Sequence, residues 1–118
     1  MLLVEDESAV RMFGARALRN KGYTVIEARS GDAALELFQS DMDPIDLLIT
    51  DVVMPGTDGP TLVRKVRETE PDLRVICISG YSEETLRERI SVEQAVQFLP
   101  KPFSLRQLAG KVKEVLEA

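Results

Sequence analysis

Five apolar runs of strand length, at residues 2–4, 24–28, 47–50, 75–79 and 97–99, alternate with stretches of helical periodicity. This alternation constrains the fold more than any other feature. Strands joined through helices run parallel, and such crossovers are right-handed. Most of the runs are apolar throughout rather than alternating, as expected when helices cover both faces of a sheet. Thr24-Val25-Ile26-Glu27-Ala28 is more mixed and is placed nearer an edge. A single α/β domain over 1–118, with one parallel sheet between helical layers, is expected.

The helices carry readable ends. The first is expected from about Ser8 to Lys21, with Gly22 as its stop, and the second from Gly31 to Gln39 behind a Ser30 N-cap. The third opens at Gly59-Pro60, where proline in the first turn loses no hydrogen bond, and ends before Pro71. Asp58 reads as a turn or cap residue. A fourth helix is expected at about 83–91, with a thin apolar face. The fifth opens on Ser104 and Gln107, the two positions of a capping box, and carries Leu105, Leu108, Ala109, Val112, Val115 and Leu116 at helical spacing.

Composition removes several chemistries. The chain of 118 residues contains no histidine and one cysteine, Cys77. Ser-His-Asp hydrolysis, Cys-His proteolysis, His-ligated zinc and an intramolecular disulfide are therefore excluded. Cys77 lies in an apolar run and reads as a buried strand residue. A net charge of −5 argues against direct nucleic-acid binding. The apolar runs are too short to span a bilayer and no secretory signal is visible, so no direct membrane contact and a cytoplasmic location are expected, either free or on the cytoplasmic side of a membrane-anchored parent. Met1 falls at the edge of the first strand, which suits a chain trimmed from a longer parent.

The chemistry gathers at strand ends. In open α/β sheets ligands bind at the carboxyl edge of the strands. Glu5 and Asp6 follow the first run, Asp51 the third, Ser79 ends the fourth and Lys101 follows the fifth. Clustered carboxylates repel, and a divalent cation removes that repulsion. Oxygen donors without His or Cys suit Mg²⁺. Asp51 is a candidate nucleophile, since a carboxylate can form an acyl phosphate. Lys101 and the Ser79 hydroxyl would meet phosphoryl oxygens, and Gly80 would let its backbone N–H approach them. Glu7 reads as a helix-start acid. The prolines around Lys101 indicate a fixed loop, with a cis Lys101-Pro102 bond expected.

Taken together, Leu2-Leu3-Val4-Glu5-Asp6-Glu7, Asp51-Val52-Val53-Met54-Pro55-Gly56-Thr57-Asp58-Gly59, Ser79-Gly80 and Lys101-Pro102-Phe103 resemble the response-regulator receiver domains of two-component signalling along the whole chain. The resemblance implies a flavodoxin-like (CheY-like) sheet of order 2-1-3-4-5. It implies that Asp51 takes phosphate from a phosphohistidine on a histidine kinase domain or a histidine phosphotransferase. It implies Mg²⁺ held by Asp6, Asp51 and the Val53 backbone carbonyl, with Glu5 acting through water, and phosphoryl contacts from Ser79 and Lys101. Ser79 and Phe98 would form the switch. Phe98 stands where many receivers carry Tyr or His, so it could fill the space behind the serine without hydrogen-bonding, or serve the core alone. Many receivers also carry Asp at the position of Glu5.

Ser79-Gly80-Tyr81, Phe98 to Phe103 and Asp58 to Leu62 are more narrowly similar to receivers at the end of hybrid histidine kinases. A stand-alone single-domain regulator fits nearly as well. Either a monomer or a weak dimer through the fourth helix, fifth strand and fifth helix is compatible with the family. Val53 and Tyr81 would flank the path of attacking water and shield an acyl phosphate, so a Val53→Asn, Tyr81→Ala variant is expected to lose phosphate faster. A Mg²⁺-dependent aspartyl-phosphate phosphohydrolase is a second class, but a second aspartate two residues after the nucleophile is missing. A nucleotide- or flavin-binding domain would want a Gly-rich loop after the first strand, where Glu5-Asp6-Glu7 stands.

Overall fold

The computed structural model describes residues 1–40, 45–80 and 96–117. The helix expected at 83–91, and Tyr81, lie outside the described residues. Five strands, β1 (Leu2–Val4), β2 (Ile26–Ala28), β3 (Leu47–Asp51), β4 (Arg74–Ser79) and β5 (Gln97–Pro100), form one parallel sheet of order β2-β1-β3-β4-β5. The mixed second run is an edge strand, as its composition indicates. It is shorter than the apolar run, because Thr24 and Val25 precede the paired residues.

Alternate strand residues point to opposite faces, and each face has its own core. On one side Leu2, Val4, Leu48, Val75 and Cys77 meet Ala34 of α2 (Gly31–Gln39) and Leu62, Val63 and Val66 of α3 (Gly59–Thr69). On the other, Leu3, Leu47, Ile49, Ile76, Ile78 and Leu99 meet Ala15 and Leu18 of α1 (Ser8–Asn20) and Leu108, Val112 and Val115 of the C-terminal helix (Leu105–Glu117). Both faces of the central strands are buried, which is why those strands show no polar alternation.

The helix ends follow their local chemistry. Ser30 accepts a hydrogen bond from the Ala33 N–H at 3.0 Å, and Asp58 accepts one from Thr61 at 2.8 Å. The capping box is complete: the Ser104 N–H donates to Gln107 Oε1 at 2.8 Å and the Gln107 N–H to Ser104 Oγ at 3.1 Å. Helix α1 ends one residue before Lys21, and Gly22 turns the chain with φ +94°, a conformation that favours glycine. Glu7 occupies the N-cap of α1, but its side chain caps nothing there.

Candidate functional site

Register decides which residues meet at the carboxyl edge. Val4 pairs with Thr50, so Glu5 and Asp51, each one residue further along, emerge side by side. Asp51 pairs in turn with Ile78, and Ser79 with Pro100, which places Ser79 and Lys101 at the same edge. The Lys101 N–H donates to the Ser79 carbonyl at 2.8 Å, and the Val52 N–H to Ile78 at 3.1 Å, so the edge stays ordered past the last strand residues.

Glu5, Asp6 and Asp51 each offer a carboxylate oxygen, and the three oxygens lie within 4.8 Å of one another. Glu5 is 1% and Asp51 7% exposed, whereas Asp6 faces solvent. The Lys101 ammonium donates to Asp51 Oδ2 at 2.9 Å and stands 3.4 Å from Glu5 Oε2. The latter is an ion pair without hydrogen-bond geometry, so the buried Glu5 Oε2 has no hydrogen-bond partner among the described residues. Glu5 Oε1 accepts from the Glu7 N–H at 3.2 Å.

These positions set the electrostatics. Burial, and after it the Asp51 charge, push the Glu5 carboxyl up to about 7, against the Glu7 hydrogen bond and the Lys101 charge. Burial alone would lower the Lys101 ammonium. The hydrogen bond and charge of Asp51, with the Glu5 charge, outweigh it and raise the group. The edge is thus a cluster of carboxylates with the Lys101 ammonium reaching two of its acids.

The other expected residues fall around this group. Ser79 is buried at the end of β4. Gly80 is exposed, and a Cβ there would meet nothing within 4 Å, so packing among the described residues does not demand a glycine. Val53 is exposed in the β3–α3 loop. Phe98 is half-buried against the α2–α3 core. Lys101-Pro102 is cis.

Three positions not assigned to the site from the sequence help to shape it. Gly59 lies so close to β3 that a Cβ would collide with the Asp51 carbonyl oxygen and come within 2.9 Å of Val52 Cα. Thr50 donates its hydroxyl to the Asp51 carbonyl at 3.0 Å. Arg11 donates to the Glu5 carbonyl at 2.9 Å and pairs with Glu27 at 3.5 Å, tying α1 to the end of β1. Only the Asp-Gly-Pro turn signal at 58–60 hinted at the first; the other two depend on side-chain direction.

A doubly wound parallel sheet with clustered carboxylates and a lysine at its carboxyl edge defines a receiver-type domain. The chain belongs to the response regulator receiver domain family, whose model matches residues 1–113. It is 53% identical over 117 residues to the sensor kinase CckA of Brucella abortus (strain 2308), covering 99% of this chain and 12% of that protein. It is 36% identical over 118 residues to the response regulator receiver protein CpdR of the same strain, covering 100% of this chain and 97% of that one. The crystal structure of the receiver domain from the hybrid histidine kinase CckA superposes with a TM-score of 0.81 at 46% identity, covering 98% of this chain and 96% of that one. The chain is a receiver domain of a two-component system, similar to the receiver of a hybrid kinase. Among the described residues, no helix is long and apolar enough to cross a membrane.

Proposed function

We propose that Asp51 is the phosphoacceptor, taking a phosphoryl group from a phosphohistidine on a histidine kinase domain or a histidine phosphotransferase. The observation that carries this reading is the Asp51 carboxylate, seated among Glu5 and Asp6 with the Lys101 ammonium at 2.9 Å. A bond forms from an Asp51 oxygen to phosphorus as the phosphorus–nitrogen bond breaks, and the bonding pair leaves with the imidazole nitrogen. The chain has no histidine, so the donor is another molecule or another part of a longer protein.

The donor set fits a hard divalent cation of the Mg²⁺ type. All ligand atoms are oxygens, and the buried Glu5 Oε2 lacks a hydrogen-bond partner among the described residues, which a metal-bound water would supply. Asp6, Asp51 and the Val53 carbonyl would hold the ion, with Glu5 acting through water. When bound, the ion screens carboxylate and phosphoryl charge during transfer. Lys101 turns from the carboxylates toward a phosphoryl oxygen as a point charge, and the Ser79 hydroxyl donates to another. A turn of Ser79 toward the phosphoryl group, with Phe98 filling the space behind it, carries the change outward.

The partner must reach Asp51 across the rim. Met12 and Phe13 of α1 are 60% and 49% exposed, large apolar groups that a helical partner would cover. Phe13 lines a groove of about 570 Å³ with Val10, Lys101 and Phe103. The likeness to CckA supports a place within a hybrid histidine kinase passing phosphate to a histidine phosphotransferase; the likeness to CpdR supports a stand-alone regulator.

Labelling with a phosphorylated histidine phosphotransferase or acetyl phosphate tests the reading. The parent chain takes up acid-stable, base-labile phosphate with Mg²⁺, while Asp51→Asn and chelator-treated parent take up none. Full labelling of Asp51→Asn would end it.

A further inference from the structure

The β3–α3 loop, from Val52 to Asp58, carries Val53 and is held at both ends. At its base the Gly59 N–H donates to the Val52 carbonyl at 2.9 Å. At its α3 end it is fastened to α2, a helix that contributes nothing to the acid group. The Thr57 hydroxyl donates to Asp32 Oδ1 at 2.5 Å. Asp32 stands in the first turn of α2, where the helix dipole favours a carboxylate.

Two glycines make this approach possible. A Cβ at Gly31 would collide with the Thr57 carbonyl oxygen, so the start of α2 lies directly against the loop backbone. A Cβ at Gly56, which has φ +76°, would lie 2.6 Å from Asp32 Oδ2. The Asp32 carboxylate thus has one oxygen on the Thr57 hydroxyl and the other over the bare face of Gly56. Neither Asp32 nor Thr57 belongs to the group formed by Glu5, Asp6 and Asp51.

We propose that Asp32 is a positioning residue for the acidic site: acting through the Thr57 hydroxyl, it holds the β3–α3 loop in one arrangement and so lowers the ordering cost of binding a divalent cation beside Asp51. The inference rests on the reading of Glu5, Asp6, Asp51 and the Val53 carbonyl as the cation's ligands. Its physical basis is preorganisation, in which a loop already ordered loses less entropy when a ligand engages its backbone. The clasp needs a hydroxyl at 57 and a carboxylate at 32. The isosteric Thr57→Val removes it, and Thr57→Ser keeps it.

The test uses the whole chain and two readouts. Amide hydrogen exchange over residues 52–58 of the metal-free protein reports loop order, and Mn²⁺ titration by electron paramagnetic resonance reports affinity. Thr57→Val is expected to speed loop exchange and weaken Mn²⁺ binding about three- to tenfold, the range of an ordinary net hydrogen bond, because the clasp is exposed. Thr57→Ser is expected to match the parent within about twofold, since it retains the donor. Adding Asp32→Ala to Thr57→Val is expected to weaken binding no further, because both changes remove one interaction. Equal losses in Thr57→Val and Thr57→Ser, or parent-like exchange and affinity in Thr57→Val, overturn the inference while the cation site stands. A parent chain that binds no Mn²⁺ overturns the reading of the site, and the inference with it.

Discussion

Lys101 and Asp51, separated by 50 residues in sequence, are joined by a 2.9 Å hydrogen bond at the carboxyl edge of the sheet. The same ammonium stands 3.4 Å from the buried Glu5. In the metal-free protein one lysine therefore offsets charge on two buried acids. Lys101→Met is expected to destabilise the metal-free protein by about 1–2 kcal/mol, less than a fully buried pair because the ammonium is partly exposed. Mg²⁺ is expected to reduce that deficit by supplying the missing charge. Urea denaturation with and without Mg²⁺ measures both, and a deficit unchanged by the ion would show that the lysine acts through packing.

Glu5 gives the metal-free protein a pH signature. Its carboxyl lies near 4.5 when unfolded and is pushed up to about 7 in the fold, mainly by burial. The neutral form is the one the fold prefers. Its contribution is present below about 4.5 and is lost as pH rises toward 7 and just above, a decline on the order of 3 kcal/mol. Glu5→Gln is expected to flatten this part of the curve and to exceed the parent in stability at pH 8 without metal. Chelator-treated samples compared by urea denaturation between pH 4.5 and 8 check the sign; parallel curves for the two proteins would refute it.

Gly59 and Gly80 form a matched pair. A Cβ at Gly59 would strike the backbone of Asp51 and Val52, while one at Gly80 meets nothing among the described residues. Gly59→Ala is expected to cost about 2–3 kcal/mol, as overpacking against backbone does. It should also depress phosphate labelling, because Asp51 itself is displaced. Gly80→Ala is expected to change stability by no more than about 0.5 kcal/mol, in keeping with an exposed position. Denaturant midpoints and initial labelling rates for the two variants separate packing at Asp51 from access to it.

Cys77 is fully buried, and burial pushes its thiol up to about 12. A disulfide-exchange reagent is expected to react with it only as the protein unfolds, since the thiolate is the reactive form. Native protein at pH 8 should stay unmodified over the time in which urea-unfolded protein reacts fully. Prompt native labelling would contradict the buried placement.

Much of this molecule could be read without coordinates. The strand–helix alternation, the Ser30 and Asp58 caps, the Ser104–Gln107 box and the Gly22 stop are local signals, each contained in a few neighbouring residues. Acids after the first and third strands and a lysine after the fifth were visible as residue types at strand ends. Strand lengths were less legible: β3 includes Asp51 and β5 reaches Pro100, because pairing partners rather than apolar character end a strand.

What the chain determined by itself, then, is which elements form and which chemical groups lie at their ends, since hydrophobic period and cap chemistry act over one or two turns. Distance and dielectric were decided only by the tertiary structure. The Val4–Thr50 register sets Glu5 beside Asp51, and the surrounding packing buries Glu5 so deeply that its proton is held to near neutral pH. The clasp between Asp32 and Thr57 likewise exists only once α2 is seated against the β3–α3 loop. Such relationships depend on how separate elements pack in three dimensions, and no local window of sequence contains them.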